Sequence, residues 1–371
     1  MKKILMNSKR LYFIDIIRAF AILMMLQGHF INTLLADSYK DINTIPYSVW
    51  SYFRGITAPT FFTISGLIFT YLLLRAKEKG QEKLRMRKGI VRGFFLIGIG
   101  YLLRIPFLSW FSGYFNSYFL VIDVLQCIGL SLIIVVVLYY LCAKRVQLFS
   151  FILLALGFLI FISEPLYRTI SFDCLPALLN NYVSKSNGSI FTITPWFGYI
   201  AFGAYIATLF HKYSQILNFK KITVVSFFIF GCILIISSSD ILILLYELMN
   251  IQLFLDAANY NYLFTRLGNV FLYFSFFYAF ENYLKFPLIL KIGQKTLSIY
   301  VIHFTIIYGS FLGIGLNRII GKTLTPWQAI FGALLFITIV CFISFHYVKT
   351  NAFLYKLLKR RIQLLFNSLK K

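Results

Sequence analysis

The stretch Tyr12–Phe30, "YFIDIIRAFAILMMLQGHF", decides the fold class, because it is long and apolar enough to cross a membrane yet carries Asp15, Arg18 and His29. Ionisable side chains are costly in hydrocarbon and usually serve a purpose there. At the pitch of an α-helix, Arg18 and His29 lie about 20° apart around the axis and about 16 Å apart along it. Asp15 falls on the same side. One face of this helix therefore carries a charged pair near its start and an imidazole well along it. Two readings stand side by side. The face holds a structural ion pair and a hydrogen-bonded histidine, or Arg18 binds an anion while His29 acts as base or nucleophile, work that its ordinary pKa of about 6.5 suits.

The rest of the chain has the same character. Sixty per cent of the 371 residues are hydrophobic and 13% are charged, about half the charged share of a soluble domain. Mean hydropathy is +0.80. Apolar runs fall at 11–35, 53–75, 93–111, 119–142, 147–163, 193–210, 222–244, 266–284, 296–314 and 327–348, which predicts an all-α integral membrane bundle of about ten helices. They are continuous rather than alternating, which argues against a β-barrel. The net charge of +24 suggests no nucleic-acid partner, because Lys and Arg fall between the apolar runs on alternate sides. "RAKEKGQEKLRMRK", "AKR", "HKYSQILNFKK" and "KFPLILKIGQK" form one basic set of connections, and the positive-inside rule then puts both termini in the cytoplasm. His29 would lie toward the outside, Asp15 and Arg18 toward the inside.

Residues 1–349 form the expected membrane domain. Residues 350–371, "NAFLYKLLKRRIQLLFNSLKK", are apolar on one side and basic on the other and would lie on the inner membrane surface against anionic lipid. The connection 164–192 is the longest on the outer side, and its Leu and Tyr content favours packing. The five cysteines show no CxxC pair, disulfide framework or metal spacing, so no metal is expected. Nothing in the sequence speaks to oligomeric state.

Five motifs in order resemble the transmembrane acyltransferase superfamily, which includes the acyltransferase-3 proteins and the heparan-α-glucosaminide N-acetyltransferase-like proteins. "DIIRAFAILMMLQGHF" matches the pattern of a basic residue, ten residues and a histidine. "RGITAPTFFTISGLIF" resembles the second-helix motif. "DVLQCIGL" and "TPWFGYIAFGAY" are similar to the VLQ-x-IG and PW-x-G blocks, and "IGQKTLSIYVIHF" to the late helix ending in Tyr-x-x-His. The chain departs from the pattern twice. The loop after the first helix has no histidine, which leaves His29 as the transferable residue, and Arg85, Arg87, Lys88 and Arg92 replace a compact Arg-x-x-Arg.

The resemblance implies an acyltransferase that takes an acetyl or other short acyl group from cytoplasmic acetyl-CoA. The acceptor would be the hydroxyl or amine of an extracytoplasmic or lipid-linked sugar, at a bacterial cytoplasmic membrane. It implies His29, Asp15 and Arg18 as the catalytic group, and Arg18, Arg87, Lys88 and Arg92 on the phosphates of coenzyme A. Arg54, Trp196 and His303 would stand on the acceptor side. Direct transfer and an acyl-histidine route both remain open. Arg104 and Asp123 are expected to pair with each other, with an acceptor contact as the alternative. The rival reading is a transporter or flippase for an anionic or lipid-linked solute, which would use the same buried charges as a pathway.

Overall fold

The computed structural model describes residues 11–115, 117–168, 175–310 and 313–346. The 349/350 boundary, the basic tail and Cys174 lie outside them. Among the described residues the regular structure is helical, apart from one isolated parallel bridge between Leu35 and Leu324. The principal helices are α1 (Tyr12–Leu34), α2 (Ile45–Arg54), α3 (Thr57–Glu78), α4 (Glu82–Arg104), α5 (Val124–Leu141) and α6 (Val146–Ile162). They continue as α7 (Ile193–Tyr213), α8 (Phe219–Ile236), α9 (Ser238–Met249), α10 (Tyr262–Ala279), α11 (Pro287–Gln294), α12 (Thr296–Tyr308) and α13 (Pro326–His346).

Helices stand at all ten apolar runs, but six segments are long and apolar enough to cross a membrane: Tyr12–Leu34, Ile45–Glu78, Val124–Leu141, Ile193–Tyr213, Phe219–Ile236 and Pro326–His346. The count is lower than the apolar runs alone predict for physical reasons. The first turns of α4 are charged, α10 carries Arg266 and Asn269 among its apolar residues, and α6 and α12 are apolar but only 17 and 13 residues long. Two helix ends have clear local causes. Pro106 disfavours helical backbone at Ile105, which is extended (ψ 116°), so α4 stops at Arg104. Gly309 takes up the left-handed conformation (φ +77°) that a side chain resists, so α12 stops at Tyr308.

Burial ranks the helices from centre to rim. The most apolar window of α7 is 72% buried, against 33% for α13 and 17% for α8. Phe228 and Phe230 of α8 and Phe331 and Leu335 of α13 are exposed, an apolar surface of the kind that suits a membrane setting. At the centre α3 and α7 cross so closely that Gly66 lies on the backbone of Ile200 and Gly203 on the backbone of Thr63. Without a hydrophobic drive between helices in lipid, such small-residue crossings supply the packing. α1 is held on the other side by α11, where Gly293 admits the Asp15 carbonyl, and its first turn is tied down by Phe13 N–H donating to Glu281 Oε1 at 3.0 Å. The α1 exit is held too, with Ala36 N–H donating to Leu324 O and Leu324 N–H to Leu34 O, both at 3.0 Å.

The α3–α7 crossing gives a direct test. Gly203→Ala puts a methyl group into the Thr63 carbonyl and should cost about 1–3 kcal/mol, the usual range for overpacking. Gly98→Ala meets nothing within 4 Å and should leave stability unchanged or slightly raised. Thermal unfolding of both variants in the same detergent reads the difference; equal midpoints would mean the two helices are not in backbone contact.

Candidate active site

α1 carries the site and α12 lies alongside it, touching it at two heights. Near the start, the Arg18 guanidinium sits 3.8 Å from Asp15 Oδ1 and donates from Nη2 to Thr296 Oγ1 at 2.6 Å. Thr296 is the first residue of α12. Further along, His29 Nδ1 lies 3.0 Å from the hydroxyl of Tyr308, the last residue of α12. The separation of the two contacts is about 16 Å along α1 and about 18 Å along α12, as two side-by-side helices require. The His303 ring packs against His29 with centroids 5.3 Å apart. It is fully buried, and neither ring nitrogen has a hydrogen-bond partner among the described residues.

Beyond His29, α2 folds back over α1. Trp50 Nε1 donates to Gln27 Oε1 at 2.7 Å. The Arg54 stem lies over Gly28, where an added Cβ would be 3.1 Å from Arg54 Cγ, and its guanidinium sits 5.2 Å from the centre of the Trp50 ring. Arg104 and Asp123 form the expected ion pair, Nη2 donating to Oδ2 at 2.9 Å, with the Arg104 side chain 5% exposed. Asp123 also caps α5, accepting from Val124 N–H at 2.9 Å, and its own N–H donates to Gln126 Oε1 at 3.2 Å.

These elements enclose one cavity of about 910 Å³. Among the described residues its wall contains six arginines, Arg18, Arg54, Arg85, Arg92, Arg104 and Arg318, and a single carboxylate, Asp123. Arg18, Arg85 and Arg92 stand at one end and Arg54, Arg104 and Arg318 at the other, with His29 between. Asp15 stands behind Arg18 rather than in the wall. Arg87 and Lys88 are exposed and do not line the cavity; Arg85 and Arg92 share a helix face seven residues apart, whereas Arg87 points about 200° from Arg85. Trp196 and His303 each stand one ring back. Trp196 packs on Phe191 of the wall with centroids 4.7 Å apart, and His303 is covered by His29. Arg85 was named in the basic run but not assigned to the coenzyme phosphates, and Thr296, Tyr308 and Arg318 were not singled out by sequence. The Gly following Tyr308 was the available signal for a helix end there.

A family model for heparan-alpha-glucosaminide N-acetyltransferase, catalytic, matches residues 10–249. The chain belongs to that family. Its members are membrane acetyltransferases that in general take acetyl-CoA as donor, and the long apolar helices of this acetyltransferase agree with a membrane setting. No curated protein matches the chain significantly. Among the described residues no group of three His, Cys, Asp or Glu side chains is placed to hold a metal ion. The matched segment contains α1 to α9 and so all the wall arginines except Arg318, whereas Thr296, His303 and Tyr308 lie beyond its end.

The Arg104–Asp123 pair makes a stability prediction for the acetyltransferase. Arg104→Gln leaves the Asp123 charge buried without its partner and should cost about 3–5 kcal/mol, whereas removing both charges leaves neither stranded. The double variant Arg104→Gln, Asp123→Asn should therefore unfold at a higher temperature than Arg104→Gln alone. A double variant that is the sum of the two singles would mean the charges do not depend on each other.

Proposed function

We propose that this protein transfers an acetyl group from cytoplasmic acetyl-CoA to a hydroxyl or amine of an extracytoplasmic or lipid-linked sugar, at a bacterial cytoplasmic membrane. The observation that carries the reading is the cavity of about 910 Å³ that runs past His29 with arginines at both ends, in a chain of an acetyltransferase family. The basic connection between α3 and α4 supports a cytoplasmic position for the Arg18, Arg85 and Arg92 end.

That end fits the phosphates of coenzyme A. It has three guanidiniums, no carboxylate in its wall among the described residues, and a buried Arg85 Nε without a hydrogen-bond partner. Guanidinium pairs with phosphate through two parallel hydrogen bonds. Arg18, Arg85 and Arg92 would hold the donor, Arg18 being kept in place by Asp15 and Thr296. Arg87 and Lys88 would serve the topology of the connection instead. Bound donor supplies a thioester as the activated acetyl group.

His29 would take the proton of the acceptor as the acceptor attacks the thioester carbonyl, and would return it to the coenzyme A sulfur as the carbon–sulfur bond breaks. A base needs one unprotonated ring nitrogen, and the nitrogen that keeps its hydrogen is set by its partner. With Nδ1–H donating to the Tyr308 oxygen, Nε2 keeps its lone pair for that proton. His303 and Tyr308 together hold the ring at a fixed tilt. Trp196, behind Phe191, would stiffen the acceptor-side wall.

His29→Ala should leave coenzyme A binding intact and abolish transfer, read by release of free thiol in the presence of a sugar panel; most of the rate surviving would put the base elsewhere. Arg18→Ala and Arg92→Gln should each weaken coenzyme A binding by about 1.5–3 kcal/mol, roughly ten- to a hundredfold. Arg87→Gln and Lys88→Gln should change it little. Calorimetry on the four variants checks this, and unchanged affinity for Arg18→Ala and Arg92→Gln would sink the inner donor site. Acetyl-CoA left unconsumed under every condition would return the cavity to solute passage.

A further inference from the structure

We propose that the outer end of the cavity is an anion-binding subsite, and that the acceptor therefore carries a phosphate or carboxylate group near the position that is acetylated. The inference rests on the proposed function, in which acceptor and acetyl group meet at His29, and it names the chemical class of the acceptor.

Three observations carry it. Arg54, Arg104 and Arg318 all line the cavity beyond His29, where Asp123 is the only acid in the wall among the described residues. Asp123 is already committed, with Oδ2 accepting from Arg104 and Oδ1 accepting from Val124 N–H. One carboxylate so engaged cannot balance three guanidiniums. Second, Arg104 is 5% exposed and spends only part of its donor set. Its guanidinium also lies 5.0 Å from the centre of the Tyr118 ring, but its Nε and Nη1 are buried with no hydrogen-bond partner among the described residues, and a buried donor left unsatisfied is costly until something accepts from it. Third, the geometry ties the cluster to the chemistry. Arg54 lies over Gly28, the neighbour of His29. Arg104 stands 5.9 Å from the Phe304 ring, which packs on Tyr308, the hydrogen-bond partner of His29.

A neutral sugar would leave this charge and these donors unused. An anionic group would satisfy them. Arg318 is exposed and lines both the cavity and the adjoining outer groove of about 320 Å³, so it meets an incoming acid first. Arg54 and Arg104, deeper in, would hold the group while the neighbouring hydroxyl or amine faces His29. The two ends of the cavity would then bind two anions, donor and acceptor, from opposite sides.

The test uses the full chain in detergent, with coenzyme A at saturation so that the inner arginines are occupied. Glucose 6-phosphate, methyl glucuronoside and methyl glucoside are titrated by calorimetry. The acidic sugars should bind at least about tenfold more tightly than the neutral one, and whichever of the two binds more tightly names the acid. Arg318→Gln and Arg54→Gln should each lose about tenfold for the acidic probes, the size expected for one charged hydrogen bond. Arg104→Lys keeps the pair with Asp123 in a folded protein and should lose affinity as a bidentate contact becomes a point charge. Equal binding of acidic and neutral sugars would overturn the proposal. So would a preference that survives all three substitutions, or a loss of coenzyme A affinity in Arg318→Gln equal to the loss for the sugars. Because binding is read without turnover, an acid preference in a protein that transfers no acetyl would leave the subsite standing and remove only the acetyltransfer reading.

Discussion

A charged side chain inside an apolar bundle must find a partner or face a polar space, and most of this structure derives from that requirement. Arg18 is held by Asp15 and Thr296, and Arg104 by Asp123. The free sides of both guanidiniums open onto one cavity, which also receives Arg54, Arg85, Arg92 and Arg318. The cavity is thus the place where the bundle can tolerate its charges. The outer surfaces of α8 and α13 show the opposite choice, with large apolar side chains turned outward.

Two short features set the spacing of the site. α12 begins at Thr296, under Arg18, and ends at Tyr308, beside His29. Gly309 stops it there by adopting a backbone that a residue with a side chain avoids. On the other side, Pro106 stops α4 at Arg104 and so hands that arginine to Asp123 at the start of α5. Distances between charged groups on different helices are therefore governed by where helices end as much as by how they pack.

The family match ends at residue 249, yet the hydrogen bonds that orient Arg18 and His29 come from Thr296 and Tyr308. The matched segment holds the charged face of α1 and most of the wall arginines, and the C-terminal helices close the cavity over it. Gly293, which leaves room for the Asp15 carbonyl, shows how closely the two parts fit.

Composition and periodicity are local properties, and they determined what depends on one helix at a time. The all-helical class, the charged face of α1 and the eleven-residue step from Arg18 to His29 can all be read without a structure. The pairing of Arg104 with Asp123 was legible too, because both sit at helix ends on the same side of the membrane. Which members of the run Arg85 to Arg92 reach the cavity was not legible, since that depends on how α4 is rotated against α3 and α5. Nor was the partner of His29, which is 279 residues away in the chain, or the position of Trp196 and His303 one ring behind the wall. A cavity wall is made of faces from several helices, and the free energy that selects those faces comes from contacts between segments far apart in sequence. No window of one helix contains it; only the packed bundle decided which polar side chains share the space.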